Sequence, residues 1–365
     1  MLKYLNLSES KLLFKLSLIG LLLYKAFTYK LWFVSDRIFP VVAISDSFRI
    51  TNVYYHNSLS LISFIAIAVL LFRIQKVVLL ILIISEFLLL ATDVMRWQPT
   101  EYQFFLTLII YLIAPKKLKT YLLLLLSATY IYSGLLKFNL RFINFHWAGA
   151  ILMDFIGISA DYANHKHIKA IGFIIPFIET LSGILLLTRH RRKGFFLVIF
   201  THIFILVFIG KLSFANSLAI WSWNVIMLLY AIIYLLKPDI KSLKFNGLST
   251  VWVLLIFVLP ALNFIEKYYP YFSFDMYTGD RHHLYINTPI KEDATINTYA
   301  VNKNDYYLSE KVSKLAFNEL RVPITHNKWL YRRFIESFEH KFPEYEPCYD
   351  IKYYPFDTNE LFEIE

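Results

Sequence analysis

Cysteine is almost missing from this chain. A single one, Cys348, excludes an intramolecular disulfide and leaves no thiolate set for a zinc or iron–sulfur site. Charge is also scarce, at 18% of 365 residues, against 57% hydrophobic residues and a mean hydropathy of +0.50. An ordinary soluble domain carries about 25% charged residues. Glycine is sparse as well, ten in all, and none is grouped into a loop that could cradle a phosphate. Internal repeats and low-complexity stretches are absent.

What the chain has instead is long apolar runs. Val77–Thr92, Leu122–Tyr130 and Phe195–Ile209 are hydrophobic nearly all round, which requires lipid rather than a protein core on one side. With about 20 apolar residues needed to cross the hydrocarbon, the pattern predicts about nine membrane-spanning helices. They fall near 12–34, 55–72, 77–93, 102–115, 120–138, 168–188, 194–211, 216–236 and 248–266. The first run carries Lys25 and Lys30 and lacks a small-residue cleavage site, so it is expected to be retained as a span.

The net charge of +10 is explained by where the basic residues sit. Lys3/Lys11/Lys15, Arg73/Lys76, Lys116/Lys117/Lys119, Arg189/Arg191/Arg192/Lys193 and Lys237/Lys241/Lys244 all fall on one side of the predicted bundle. By the positive-inside rule that side is the cytoplasm, and nucleic acid is not needed as a partner. The N-terminus is then cytoplasmic, and segments 35–54, 94–101, 139–167 and the tail face outward. The expected class is membrane all-α, with a bundle at 1–266 and a small α+β extracytoplasmic domain at 267–365.

From Lys267 the composition changes abruptly, with charged residues alternating with aromatics. Alternation predicts strands at His283–Ile286, Ile296–Val301 and Asp350–Phe356. Helical spacing predicts helices over Ser309–Leu320 and Thr325–Phe342, with Ser309 and Thr325 as N-caps.

Ionisable residues inside a membrane are candidates for function by default. Lys25 and Lys30 are read as snorkelling to an interface, and Glu86 has no evident partner. Lys137 shares a helix face with Tyr130, Ser133 and Gly134, where the small residues allow close approach of a helix or a flat ligand. Desolvation there favours the neutral amine, which can act as a base; the alternative is a snorkelling lysine at a helix end. His202 is read as a neutral histidine bonded to a hydroxyl or to Glu179, and Glu179 as a relay group or one half of that clasp. On the outer side, His146 and Trp147 lead into Ala148–Ile158, an apolar stretch too short to span. The pair His165/His167 lacks a further ligand at suitable spacing, so no metal is expected.

Taken in order, Trp97-Gln98-Pro99-Thr100-Glu101-Tyr102, Tyr132-Ser133-Gly134-Leu135-Leu136-Lys137-Phe138-Asn139, Glu179 with the basic Arg189–Lys193 loop, and His202 with Ile209-Gly210 resemble the HTTM membrane domain of the vitamin K-dependent gamma-carboxylases. The Glu-x-x-x-Gly-x-x-Leu-Leu stretch from Glu179 is also similar to DoxX-type quinone-linked membrane proteins. Thr100 stands where the carboxylases have a histidine, and the tail is far shorter than their lumenal domain. The resemblance implies a bacterial inner membrane protein with its tail in the periplasm. It further implies a reduced quinone of menaquinone or vitamin K type and Lys137 as the base, with His202 in the catalytic set. Trp97, Tyr130, Tyr132, His146, Trp147 and Glu179 then form the cofactor-binding set, and an exported protein is modified. The alternative is a non-enzymatic subunit of a secretion, maturation or envelope-assembly complex.

Overall fold

The computed structural model describes residues 8–50, 52–211, 218–238, 246–279, 282–289, 307–344, 347–353 and 358–361. The helices in chain order are α1 (Glu9–Phe27), α2 (Tyr29–Trp32), α3 (Val53–Phe72), α4 (Lys76–Thr92), α5 (Pro99–Ile113) and α6 (Leu118–Leu136). A wider-wound helix over Phe142–Ile156 follows, then α7 (Ala160–Ala163), α8 (Lys166–Ile171), α9 (Ile174–Leu186), α10 (Arg191–Lys211), α11 (Leu218–Leu236) and α12 (Gly247–Val253), whose run continues with altered winding to Ile265. The last two are α13 (Val312–Leu320) and α14 (Lys328–Lys341).

All nine predicted runs are helical, yet among the described residues six are long and apolar enough to cross a membrane. These are Val53–Phe72, Pro115–Leu136, Lys166–Leu186, Arg191–Gly210, Leu218–Leu236 and Gly247–Ile265. The other three fall short for separate reasons. Helix α1 carries Lys11, Lys15 and Lys25, and it stops at Phe27 rather than running to 34. Helices α4 and α5 have 17 and 15 residues; at 1.5 Å per residue neither reaches the roughly 30 Å of a hydrocarbon core when upright.

Two compact units make up the chain. One comprises Met1–Phe27, Ile62–Glu86 and Trp97–Gly279; the other comprises Thr28–Leu61, Phe87–Arg96 and Asp280–Glu365. Residues 267–279, past the composition change, belong to the first unit, and the second unit joins the tail from Asp280 to segments from the N-terminal third.

In the first unit α6 is the most enclosed of the membrane-length helices. It packs on α9, α9 on α10, α10 on α11, and α11 on α1, around a core that includes Leu18, Leu125, Phe195 and Tyr230. Polar groups inside this core are bonded across helices: Ser17 Oγ lies 2.6 Å from Tyr230 OH, and Trp252 Nε1 donates to Tyr121 O at 3.2 Å. Lys25 does not snorkel. It is fully buried, 2.9 Å from Glu86 Oε1, and Ser63 also donates to that oxygen. An ammonium in mid-bundle is tolerated because a carboxylate neutralises it there.

The second unit holds an antiparallel sheet in the order β2-β1-β3-β4, formed by β1 (His282–Pro289), β2 (Tyr307–Lys311), β3 (Cys348–Tyr353) and β4 (Thr358–Leu361). The partners of β1 are β2 and β3. The strand predicted at Ile296–Val301, like Lys3, Lys241, Lys244 and Phe356, lies outside the described residues. Ser309 belongs to β2 rather than capping a helix, and α13 starts three residues later with Lys311 at its N-cap. Thr325 yields its predicted role to Asn327, whose side chain accepts from Trp329 N and Leu330 N. An Asn carbonyl reaches these orphan amides as a Thr hydroxyl would, so position decides. Segments distant in sequence are tied to the tail helices. Glu319 accepts from Ile38 N and Phe39 N at 2.6 and 2.5 Å, Arg333 Nε donates to Ala43 O at 3.1 Å, and Phe39 packs on Phe334.

Candidate functional site

Helix α6 presents Tyr130, Ser133 and Lys137 at spacings of three and four, hence on one face. Gly134 and Gly183 bring α9 against that face. A Cβ on Gly134 would stand 2.6 Å from Thr180 N and 2.7 Å from Pro176 O, and one on Gly183 2.7 Å from Ser127 O. Only hydrogens fit between the two backbones, so Glu179 on α9 is delivered to Lys137 on α6.

The result is a buried three-residue cluster. Lys137 Nζ donates to Glu179 Oε2 at 2.5 Å and to Ser133 Oγ at 2.8 Å, and Ser133 Oγ donates to the same carboxylate oxygen at 3.0 Å. Lys137 is 5% and Glu179 7% exposed, so the lysine is enclosed beside a carboxylate rather than extended to an interface. Two valences are left over. An ammonium has three donors; among the described residues the third of Lys137 has no acceptor and Glu179 Oε1 receives no hydrogen bond.

One turn back from Ser133 toward the start of α6, Tyr130 OH lies 2.6 Å from His202 Nε2, and His202 Nδ1 lies 2.7 Å from Asn224 Oδ1. Asn224 Nδ2 donates to Ile220 O at 2.8 Å, which orients the amide and makes Oδ1 the acceptor. His202 therefore donates from Nδ1, and its Nε2 accepts the tyrosine proton. His202 was expected against a hydroxyl or Glu179; the hydroxyl takes that place, and Glu179 turns to Lys137. Asn224, in Trp-Ser-Trp-Asn within an otherwise apolar helix, was not singled out from the sequence, although a lone amide in a membrane-length helix is itself a signal.

The remaining aromatic candidates meet other partners. Trp97 packs on Phe272 and, edge-on, on Tyr269. Tyr132 donates to Phe257 O. His146 lies against Phe142 and Tyr277, and Trp147 Nε1 donates to Ile168 O at 2.8 Å. The structure thus brings together Lys137, Glu179, Tyr130 and His202 and places Trp97, Tyr132, His146 and Trp147 in other contacts. The rings of His165 and His167 lie 5.3 Å apart, and among the described residues no three His, Cys, Asp or Glu side chains form a metal-sized group.

Comparison with protein-family models, with curated proteins and with solved structures gives no match to this chain.

Proposed function

We propose that this chain is an integral membrane protein that takes a proton from a weakly acidic hydroxyl at the Lys137–Glu179 pair, in the service of modifying an exported protein. The observation that carries the reading is the pair of open valences. One N–H of Lys137 and Oε1 of Glu179 together match an O–H group, which donates to the carboxylate and accepts from the ammonium.

The proton has a balanced route. Lys137 passes one proton to Glu179 across their 2.5 Å hydrogen bond; the neutral amine rotates about its Cε–Nζ bond, the hydroxyl turns its O–H from Glu179 to the freed lone pair, and its proton passes to Lys137. At the end Glu179 is protonated, and an ammonium again faces the new oxyanion, which it stabilises in a site poor in water. Ser133 keeps Lys137 aligned through both forms because its hydroxyl both accepts and donates.

A reduced quinone is the hydroxyl compound that the gamma-carboxylase and DoxX resemblances imply, and its phenolic acidity is what it would supply. Lys137 and Glu179 are the residues that would hold it. The donor and acceptor pair suits a phenol, and of the expected aromatic walls only Tyr130 stands in the cluster. An outward-facing location is supported by the second unit, which gathers segment 35–54, residues 94–96 and the tail from Asp280, all of which loop charge assigns to the periplasmic face.

Oxygen consumption with reduced menaquinone, measured on the purified full-length protein, tests the reading. The parent should consume oxygen, and Lys137→Ala and Lys137→Arg should lose about a hundredfold or more. Lys137→Arg keeps a cation for Glu179 but cannot surrender a proton. A second reading, a non-enzymatic membrane subunit, draws on the same contact seen as a clasp: Glu179–Lys137 and the two glycines hold α9 on α6. An inert parent whose quinone binding is unchanged in both variants would favour that reading, and partners of the sheet-bearing unit should then be sought.

A further inference from the structure

Six helix ends meet at one end of the first unit. The starts of α1, α4 and α6 and the ends of α3, α5 and α11 surround an open concavity of about 1350 Å³. That exceeds the roughly 300–1,000 Å³ of a small-molecule pocket. Its lining includes seven Lys and Arg side chains and one carboxylate, Glu9. The carboxylate is already taken, because Lys119 lies 2.5 Å from Glu9 Oε2 and also donates to Lys237 O. Lys11, Lys15, Arg73, Lys76, Lys116 and Lys237 have no carboxylate partner among the described residues.

Position along the bundle identifies the level of the site. Two membrane-length helices end here, at Phe72 and Leu236, and a third begins, at Pro115. Helix ends of this kind lie where hydrocarbon gives way to headgroups. The cations share the lining with apolar side chains, among them Phe72 and Ile113, which are 89% and 56% exposed. A free inorganic anion has no use for those side chains. An amphiphile does: its acyl chain covers them while its phosphate meets the unpaired cations.

We propose that this concavity binds the headgroup of an anionic phospholipid, with the phosphate held by Lys11, Arg73 and Lys116 and the first part of an acyl chain lying over Phe72 and Ile113. Positive pockets between transmembrane helices recognise lipid phosphates by the same physics, and each cation near the surface adds to the attraction. The site lies at the opposite end of α6 from Lys137, so it needs neither Lys137 nor any activity there.

Binding of fluorescent phosphatidylglycerol to the full-length protein in neutral detergent micelles tests this, with phosphatidylcholine and inorganic phosphate as competitors. Unlabelled phosphatidylglycerol should compete at least about tenfold better than phosphatidylcholine. The triple variant Lys11→Gln/Arg73→Gln/Lys116→Gln should lose that preference. Arg189→Gln/Arg191→Gln/Arg192→Gln, which removes the same charge from a loop that does not line the concavity, should keep it. Equal competition by the two lipids, equal loss in both triple variants, or displacement by inorganic phosphate at matched concentration would each overturn the proposal. The competition on the unaltered protein decides the matter even where a variant does not fold.

Discussion

Nζ of Lys137 lies 2.5 Å from Oε2 of Glu179 with both side chains nearly out of water, so each charge is tolerable only because of the other. Removing one partner leaves a buried, uncompensated charge, which costs about 3–5 kcal/mol, whereas removing both is often close to neutral. Lys137→Met and Glu179→Leu should each lower the unfolding midpoint in detergent, and the double variant should recover most of the loss. A strictly additive double variant would show that the two groups do not interact.

The contact that makes this pair is backbone on backbone. Gly134→Val and Gly183→Val each insert side-chain atoms where a first carbon already stands 2.6 to 2.7 Å from the opposite helix. Overpacking of this sort costs about 1–3 kcal/mol, and it should separate α6 from α9. A cysteine pair placed across the two helices should cross-link less readily in both variants than in the parent. Unchanged cross-linking would mean that the helices meet by some other surface.

In the second unit, Arg37 Nη1 lies 2.5 Å from Asp93 Oδ2, while its Nε and Nη2 donate to Phe39 O and Pro40 O. Asp93 also accepts from Met95 N at 3.1 Å. The pair thus pins two loops through several bonds to charged groups. Asp93→Asn should destabilise this unit by about 3–5 kcal/mol, seen as faster amide exchange at Val94, whose N–H donates to Val42 O, and at Val42, whose N–H donates to Asp93 Oδ1. Exchange as slow as in the parent would place the loops under other control.

Glu310 on β2 is buried, and its Oε2 has no hydrogen-bond partner among the described residues. Burial pushes its carboxyl above the usual carboxylate range, and Lys314 opposes this in part. A raised native value means that the folded state holds the proton longer than the unfolded chain. The stability contributed by the neutral acid is therefore complete below the unfolded value of 4.5 and is lost as pH rises through the higher folded value. The sheet should open more readily at pH 8 than at pH 4 by β1 amide exchange corrected for intrinsic rate. Glu310→Gln should flatten that difference; a dependence that persists in Glu310→Gln would belong to another group.

Much of the helical skeleton was legible because an all-round apolar run has few other ways to hide from water. Each of the nine predicted runs is helical, although 12–34 is divided into α1 and α2 and 168–188 into α8 and α9. Reading each run as a crossing was less secure, since the same periodicity serves a helix of 15 residues packed against protein and one long enough to span lipid. In the tail, alternation located β1 and β3 but neither β2 nor β4, and Ser309, expected to cap a helix, belongs to β2. Lys137, Ser133 and Gly134 were already aligned by their spacing on one helix. Their link to Glu179, and that of His202 to Asn224, joins residues 42 and 22 positions apart, and single-helix periodicity carries no information across such distances.

Composition and periodicity by themselves determined that this chain needs lipid, that its helices lie where apolar runs exceed a few turns, and that its basic residues collect at one set of helix ends. Those are properties of short windows, set by local hydration and helical geometry. Which buried charges meet was decided only by the tertiary structure. Lys137 meets Glu179 because Gly134 and Gly183 let α6 and α9 touch, and Lys25, which looks free to reach water along its own helix, is enclosed beside Glu86 of another.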